Sequence, residues 1–328
     1  MKERSINNQE KSNKNQSIQL LRGVAIIAVV MIHSTAPDLA RVFLRPFLNF
    51  AVALFIFLSG YLTKLEIGNV GRFYKKRILK VLVPYLIWSV IYAIPGGFQN
   101  FFVKLLTGRY CVAYYYIFVY IQFVLLTPLI CRLLQSKYRW IGWLVTPIGT
   151  LVFRYIFKFL GLPLLSANYN YLFIAWFIYY YLGMLLGNGI GLRPPQMKKC
   201  ILLYGAAIVV SLLEGLLWYR LNDIDMATTQ LRLSSILTSV AFLLICYHFI
   251  QRDCERVSAS SWLKPLLLLG NCSFGIYLSH ILIRLVLGRL VLNIMVLPID
   301  ALLMLSISCF CVILGKKILG KYSWLLGL

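Results

Sequence analysis

The sequence predicts an all-α, polytopic membrane bundle of about ten transmembrane helices, with both termini in the cytoplasm. Three observations carry that prediction. Hydrophobic residues make up 60% of the 328-residue chain and charged residues only 13%, with a mean hydropathy of +0.79, and this composition excludes an ordinary soluble domain. Ten apolar runs are each long enough to cross a bilayer core. The basic residues behind the net charge of +23 fall in short clusters between those runs. Such clusters are a topology signal, not the continuous basic face of a nucleic-acid binder.

Residues 1–16 are polar and lysine-containing and read as a disordered cytoplasmic tail, followed by one transmembrane domain over 17–328. The first run, 17–36, contains Arg22, which argues against the apolar core of a cleavable signal peptide. The following runs cover 44–64, 78–98, 111–134, 140–160, 169–189, 200–220, 232–251, 265–289 and 295–315. An even number returns the chain to its starting side. That side then holds Lys2, Arg4, Lys11 and Lys14, the dense group from Lys64 to Lys80, and the clusters around Arg139, Lys198, Arg256 and Lys317. These outnumber the basic residues of the opposite connections, among them Arg41, Arg45 and Arg154, by about two to one, which places the first set inside. No connection is long enough for a soluble domain, and no internal repeat stands out. The eight cysteines lack CxxC or zinc spacing and read as reduced and buried, so no metal site is expected.

Ionisable residues inside apolar runs are costly and mark candidate sites. Arg22 and His33 are eleven residues apart. Eleven steps make three helical turns, so both side chains share a face roughly 16 Å apart, a cation near one surface and an imidazole toward the other. His280 lies on the outward-running ninth segment at a similar depth, so the two imidazoles are expected in one layer. Ser273, Tyr277 and His280 form a polar stripe at helical spacing, with Arg284 one turn beyond. Glu214 is the one acidic residue deep in a run, with Arg220 or a cation from another helix as a candidate partner. The tyrosine-rich stretches 114–120 and 169–181 are either sugar-binding faces or interfacial belts.

Several stretches converge on one family. Arg22 with His33, FIFLSGYL at 55–62, RFYKKRILKVLVPYLIW at 72–88 and SFGIYLSH at 273–280 occur in order across nearly the whole chain, with weaker patterns at 121–128 and 176–187. On these the chain resembles the integral-membrane acyltransferase-3 superfamily, near the compact members associated with cell-surface polysaccharide modification. The likeness departs at two points. Tyr120 and Ile121 stand where many sugar O-acyltransferases carry paired acids, and the basic pair entering the third segment is Arg77 and Lys80, one guanidinium fork fewer than the RxxR pattern.

The resemblance implies a membrane O-acyltransferase that moves a short acyl group, acetyl by default, from cytoplasmic acyl-coenzyme A to a hydroxyl of a cell-envelope glycan or lipid-linked sugar. The acyl-coenzyme A is a substrate, and no permanently bound cofactor is expected. His33 becomes the general base, with Arg22 and His280 as further catalytic candidates, since a histidine's ordinary pKa suits proton removal. Arg22, Arg77 and Lys80 become the coenzyme contacts, and Ser59, Tyr277, Glu214 and Arg284 the substrate contacts. The competing reading is a polysaccharide or lipid-linked sugar transporter whose path these same ionisable residues would line.

Overall fold

The computed structural model describes residues 2–162, 167–191, 193–251, 263–290 and 296–328, with side chains from residue 16 onward. In chain order its helices are α1 (Lys2–Ile32), α2 (Asp38–Leu48), α3 (Phe50–Tyr61), α4 (Val70–Gly96), α5 (Phe101–Thr107), α6 (Tyr115–Gln135), α7 (Val145–Thr150), α8 (Phe157–Phe159), α9 (Phe177–Gly187), α10 (Met197–Arg220), α11 (Ile224–Thr228), α12 (Leu233–Gln251), α13 (Lys264–Leu290) and α14 (Ile299–Leu319). There is no strand among the described residues. Helices satisfy their own backbone polar groups, which is the condition for lying in hydrocarbon.

Seven described stretches are long and apolar enough to cross a membrane: Asp38–Tyr61, Val70–Gly96, Val112–Gln135, Met197–Arg220, Ile224–Gln251, Lys264–Leu290 and Ile299–Leu326. The protein is therefore a multi-pass membrane protein. The other three predicted runs take different forms. Gln16–Ile32 and Phe177–Gly187 are shorter apolar helices. The run at 140–160 is broken into a 3₁₀ turn (Arg139–Trp143), α7, a π-helical stretch (Leu151–Ile156) and α8. Pro147 lies in the first turn of α7, where it has no N–H to bond back to the preceding 3₁₀ turn and so favours a helix start at this point. The sequence pattern thus resolves into seven full-length apolar helices, two shorter ones and one interrupted run.

The first helix also differs from the prediction at both ends. It begins at Lys2, where a disordered tail was expected. Lys, Glu and Gln extend a helix at little cost once an apolar segment has nucleated it. It ends at Ile32, so His33 sits at the helix exit with its amide still bonded to Val30 O at 3.1 Å. Ser34 Oγ donates back to Val30 O at 3.0 Å, and Pro37 precedes α2.

Two glycine-lined contacts organise the core. A Cβ on Gly60 would overlap the Tyr180 carbonyl, and one on Gly183 would overlap that of Phe57. Close approach of this kind is how helices pack without a hydrophobic drive between them. FIFLSGYL and the 176–187 stretch are therefore the two faces of one tight pair, α3 against α9. In the same way Gly23 of α1 lies against the Leu266 carbonyl and Gly270 of α13 against the Gln19 carbonyl. Around this core, α12 is tied to the α2–α3 joint by Asn49 Nδ2, which donates to Ser235 Oγ at 2.9 Å. The final turn, Gly320–Leu326, folds back onto α4, where Trp88 Nε1 donates to Leu326 O at 3.0 Å.

Candidate functional site

The α1–α13 contact decides what stands beside His33. Both helices are held backbone to backbone near Gly23 and Gly270, and farther along the pair His33 and His280 meet with ring centroids 5.3 Å apart. His280 is fully buried. Its Nδ1 lies 2.8 Å from Tyr277 O and 3.1 Å from Ile276 O, so Nδ1 carries the proton and donates to these carbonyls. That tautomer leaves Nε2 as a lone-pair acceptor, and Nε2 has no hydrogen-bond partner among the described residues. The layer of two imidazoles expected from the helix rise is present as a direct ring contact.

Two cavities meet at Tyr277, whose ring packs on His280. The larger, about 560 Å³, is lined by Arg22, Arg77, Lys80, Ser59, Tyr116 and Tyr120, with Trp324 of the final turn and Gly327 and Leu328 just after it. Three cationic side chains and no acidic side chain border it among the described residues. Arg77 is fixed by Thr63, whose Oγ1 accepts from Nη1 at 2.9 Å while donating to Ser59 O at 2.7 Å. The Arg77 guanidinium also lies over the Phe73 ring, 4.9 Å from its centroid. Lys80 is exposed at the rim of the helix. A cluster of this sign, open to a cavity, is suited to a phosphate-bearing ligand.

The smaller cavity, about 260 Å³, contains His33 together with Arg41, Arg45, Arg154, Asp225, Asn170 and Gln230. Val29, Val52 and Tyr277 line both cavities. They form a shared wall. Tyr277 is held there by its hydroxyl, which donates to Ala113 O, and by ring contact with Tyr116 at 5.5 Å and His280 at 6.1 Å. Arg22 opens on the larger cavity and His33 on the smaller one, with Val29 between them on the same helix face. Groups eleven residues apart thus serve two adjoining compartments.

The remaining predicted site residues divide. Ser59, Tyr277, Arg77 and Lys80 join Arg22 around the larger cavity. Arg284 lines neither cavity; its Nη2 donates to Thr35 Oγ1 at 3.0 Å, two residues past His33. Glu214 also lies outside both. It accepts from the Tyr155 hydroxyl, from Ser234 N at 3.3 Å and, weakly, from Trp218 Nε1 at 3.5 Å. These bonds make it a cap for the start of α12, a role for which a carboxylate suits the positive end of the helix dipole. His248 bonds Pro195 O at 2.7 Å and is structural, while its sequence neighbour Arg252 lies outside the described residues. Gln122 ties α6 to the following aromatic segment through Tyr171 O at 2.7 Å and Phe173 N at 3.0 Å. Tyr120, in place of the acid found in many sugar O-acyltransferases, lines the larger cavity.

Sequence reasoning missed the cationic side of the smaller cavity. Arg41, Arg45 and Arg154 entered it only as topology charges, because their convergence depends on α2 and the interrupted run meeting across the bundle. No curated protein matches the chain, and no solved structure matches it. The acyltransferase-domain family profile (acyltransferase-3) matches residues 15–316, from the middle of α1 through most of α14. That match takes in the histidine pair, the smaller cavity and all of the larger one but its Trp324, Gly327 and Leu328 edge, and the chain therefore belongs to the acyltransferase-3 family.

Proposed function

We propose that this membrane acyltransferase moves a short acyl group, acetyl by default, from cytoplasmic acyl-coenzyme A to a hydroxyl of a cell-envelope glycan or lipid-linked sugar. The observation that carries the proposal is the pair of adjoining cavities. One holds Arg22, Arg77 and Lys80, the other holds His33, and they meet at Val29, Val52 and Tyr277. The phosphates of the donor sit against the three cations, and its thioester points along Val29 toward the shared wall. Ser59, Tyr116 and Tyr120 border the path.

The acceptor hydroxyl enters the smaller cavity. His33 takes its proton as the oxygen attacks the thioester carbonyl, the C–S bond breaks, and coenzyme A leaves as a thiol after regaining that proton. His280 acts through His33. Its Nδ1 is committed to backbone carbonyls, which leaves the Nε2 lone pair of a ring in contact with His33 to stabilise the imidazolium that forms there. Arg284 orders the turn after His33 through Thr35. The chain works as one transmembrane unit from residue 17, crosses the membrane ten times with both termini inside, and resides in a cell membrane, bacterial by its resemblance to envelope-modifying relatives. The two-to-one basic bias supports that orientation.

The test uses purified protein in nanodiscs with radiolabelled acetyl-coenzyme A and an envelope glycan extract. Label passes to glycan with the wild type, and His33→Ala lowers the rate by about 10²- to 10⁴-fold, the usual contribution of a general base. Full transfer by a well-folded His33→Ala protein removes His33 from the mechanism. Failure of the wild type with every short acyl donor, alongside passage of intact sugar across vesicles, supports transport instead.

A further inference from the structure

The smaller cavity has a chemistry that acyl transfer to a neutral hydroxyl does not require. Three guanidinium groups, Arg41, Arg45 and Arg154, line it against a single carboxylate, Asp225. Arg41 is engaged by Asp38 at 3.2 Å and Arg154 by Asp225 at 2.7 Å. Arg45 makes no ion pair among the described residues. It is nonetheless half-buried within the second apolar span, where an uncompensated cation is costly. The inside bias of basic residues does not explain it, since Arg45 belongs to the minority set. Asn170 and Gln230 line the same cavity, and each keeps a buried side-chain carbonyl oxygen without a partner among the described residues. Gln230 has committed its amide to the Tyr115 hydroxyl at 2.8 Å. Guanidinium groups are matched by carboxylate or phosphate. Amide carbonyls are matched by hydroxyls.

We infer that the smaller cavity selects an acceptor sugar bearing an anionic group, carboxylate or phosphate, and that Arg45 reads the charge. This rests on the acyl-transfer reading only for naming the bound sugar as the acceptor. At about 260 Å³ the cavity is at the small end of ligand sites, so it takes a single sugar unit with its charge beside Arg45. Asn170 and Gln230 receive ring hydroxyls, and the hydroxyl nearest His33 is the one positioned for acylation. Arg45 is a specificity residue and takes no part in proton transfer.

Binding is measured without an acyl donor, on protein in nanodiscs, by titration calorimetry. The three probes are phenyl β-D-glucoside, phenyl β-D-glucuronide and phenyl β-D-glucoside 6-phosphate. The wild type binds at least one anionic probe about tenfold tighter than the neutral glucoside, the scale of one charge-assisted hydrogen bond. Arg45→Gln erases that ratio and Arg45→Lys keeps part of it. Whichever anionic probe gains identifies carboxylate or phosphate as the group read. Equal affinity for all three probes, no binding of any at millimolar concentration, or an unchanged ratio in Arg45→Gln overturns the proposal. The ratio is taken within one variant, and Arg45→Lys covers the case in which the glutamine variant fails to fold. Because no turnover is involved, a binding preference that persists while label transfer is absent would sink the acyl-transfer reading and leave the charge selection standing.

Discussion

Tyr277 concentrates three tasks in one side chain. It borders both cavities, packs on His280 and Tyr116, and donates its hydroxyl to Ala113 O. Its carbonyl also accepts from His280 Nδ1 and so helps fix that ring's tautomer. Tyr277→Phe keeps the ring wall but strands a buried carbonyl, and is expected to cost about 1 kcal/mol of stability, as interhelical hydrogen bonds in membrane proteins do. Denaturant titration of the folded fraction in mixed micelles measures this. A loss of less than a few tenths would mean that the hydroxyl bond is incidental. At this scale the sequence was partly legible. Arg22 and His33 announced themselves because ionisable groups are rare in apolar runs and helix geometry fixes their spacing. Glu214 was equally conspicuous, yet its partners are a tyrosine hydroxyl, an indole and the amide of Ser234. Nothing in the local sequence distinguishes a buried acid that caps a helix from one that faces a ligand. Arg45 went unnoticed for the complementary reason: it stands at the very edge of the 44–64 run and was counted with the cations of the outer connections.

Among the elements, the α1–α13 pair holds the histidines in register. Gly270 abuts the Gln19 carbonyl, whereas Gly205, on α10, has open space where a side chain would go. Gly270→Val is therefore expected to push α1 away from α13 and lower stability by about 1–3 kcal/mol, the usual cost of overpacking. Gly205→Val should be close to neutral. Thermal unfolding of both variants in detergent makes the comparison, and equal midpoints would refute the close-packing account. The ten-run pattern located these elements to within a few residues over most of the chain. It failed at 140–160, where hydropathy does not register the changes of helix type from 3₁₀ to α to π. It also gave no sign of which helices touch, because apolar surfaces are interchangeable until small residues such as Gly60, Gly183 and Gly270 find their facing carbonyls.

For the whole molecule, the bundle builds two chambers separated by Val29, Val52 and Tyr277. Charge is distributed between them by different routes. The larger draws on the basic entry to α4 and on α1, the smaller on α2 and the interrupted run. The shared wall has a kinetic consequence for the proposed reaction. Two substrates lodged on opposite sides of a partition do not displace one another, so either is free to load first and both are present when the acyl group crosses. Initial-rate plots at varied acceptor should accordingly give intersecting lines, and coenzyme A should inhibit noncompetitively against the acceptor. Parallel lines would mean that the acyl group pauses on the protein. The partition would then be a relay station in a two-stage exchange, with one cargo leaving before the next arrives.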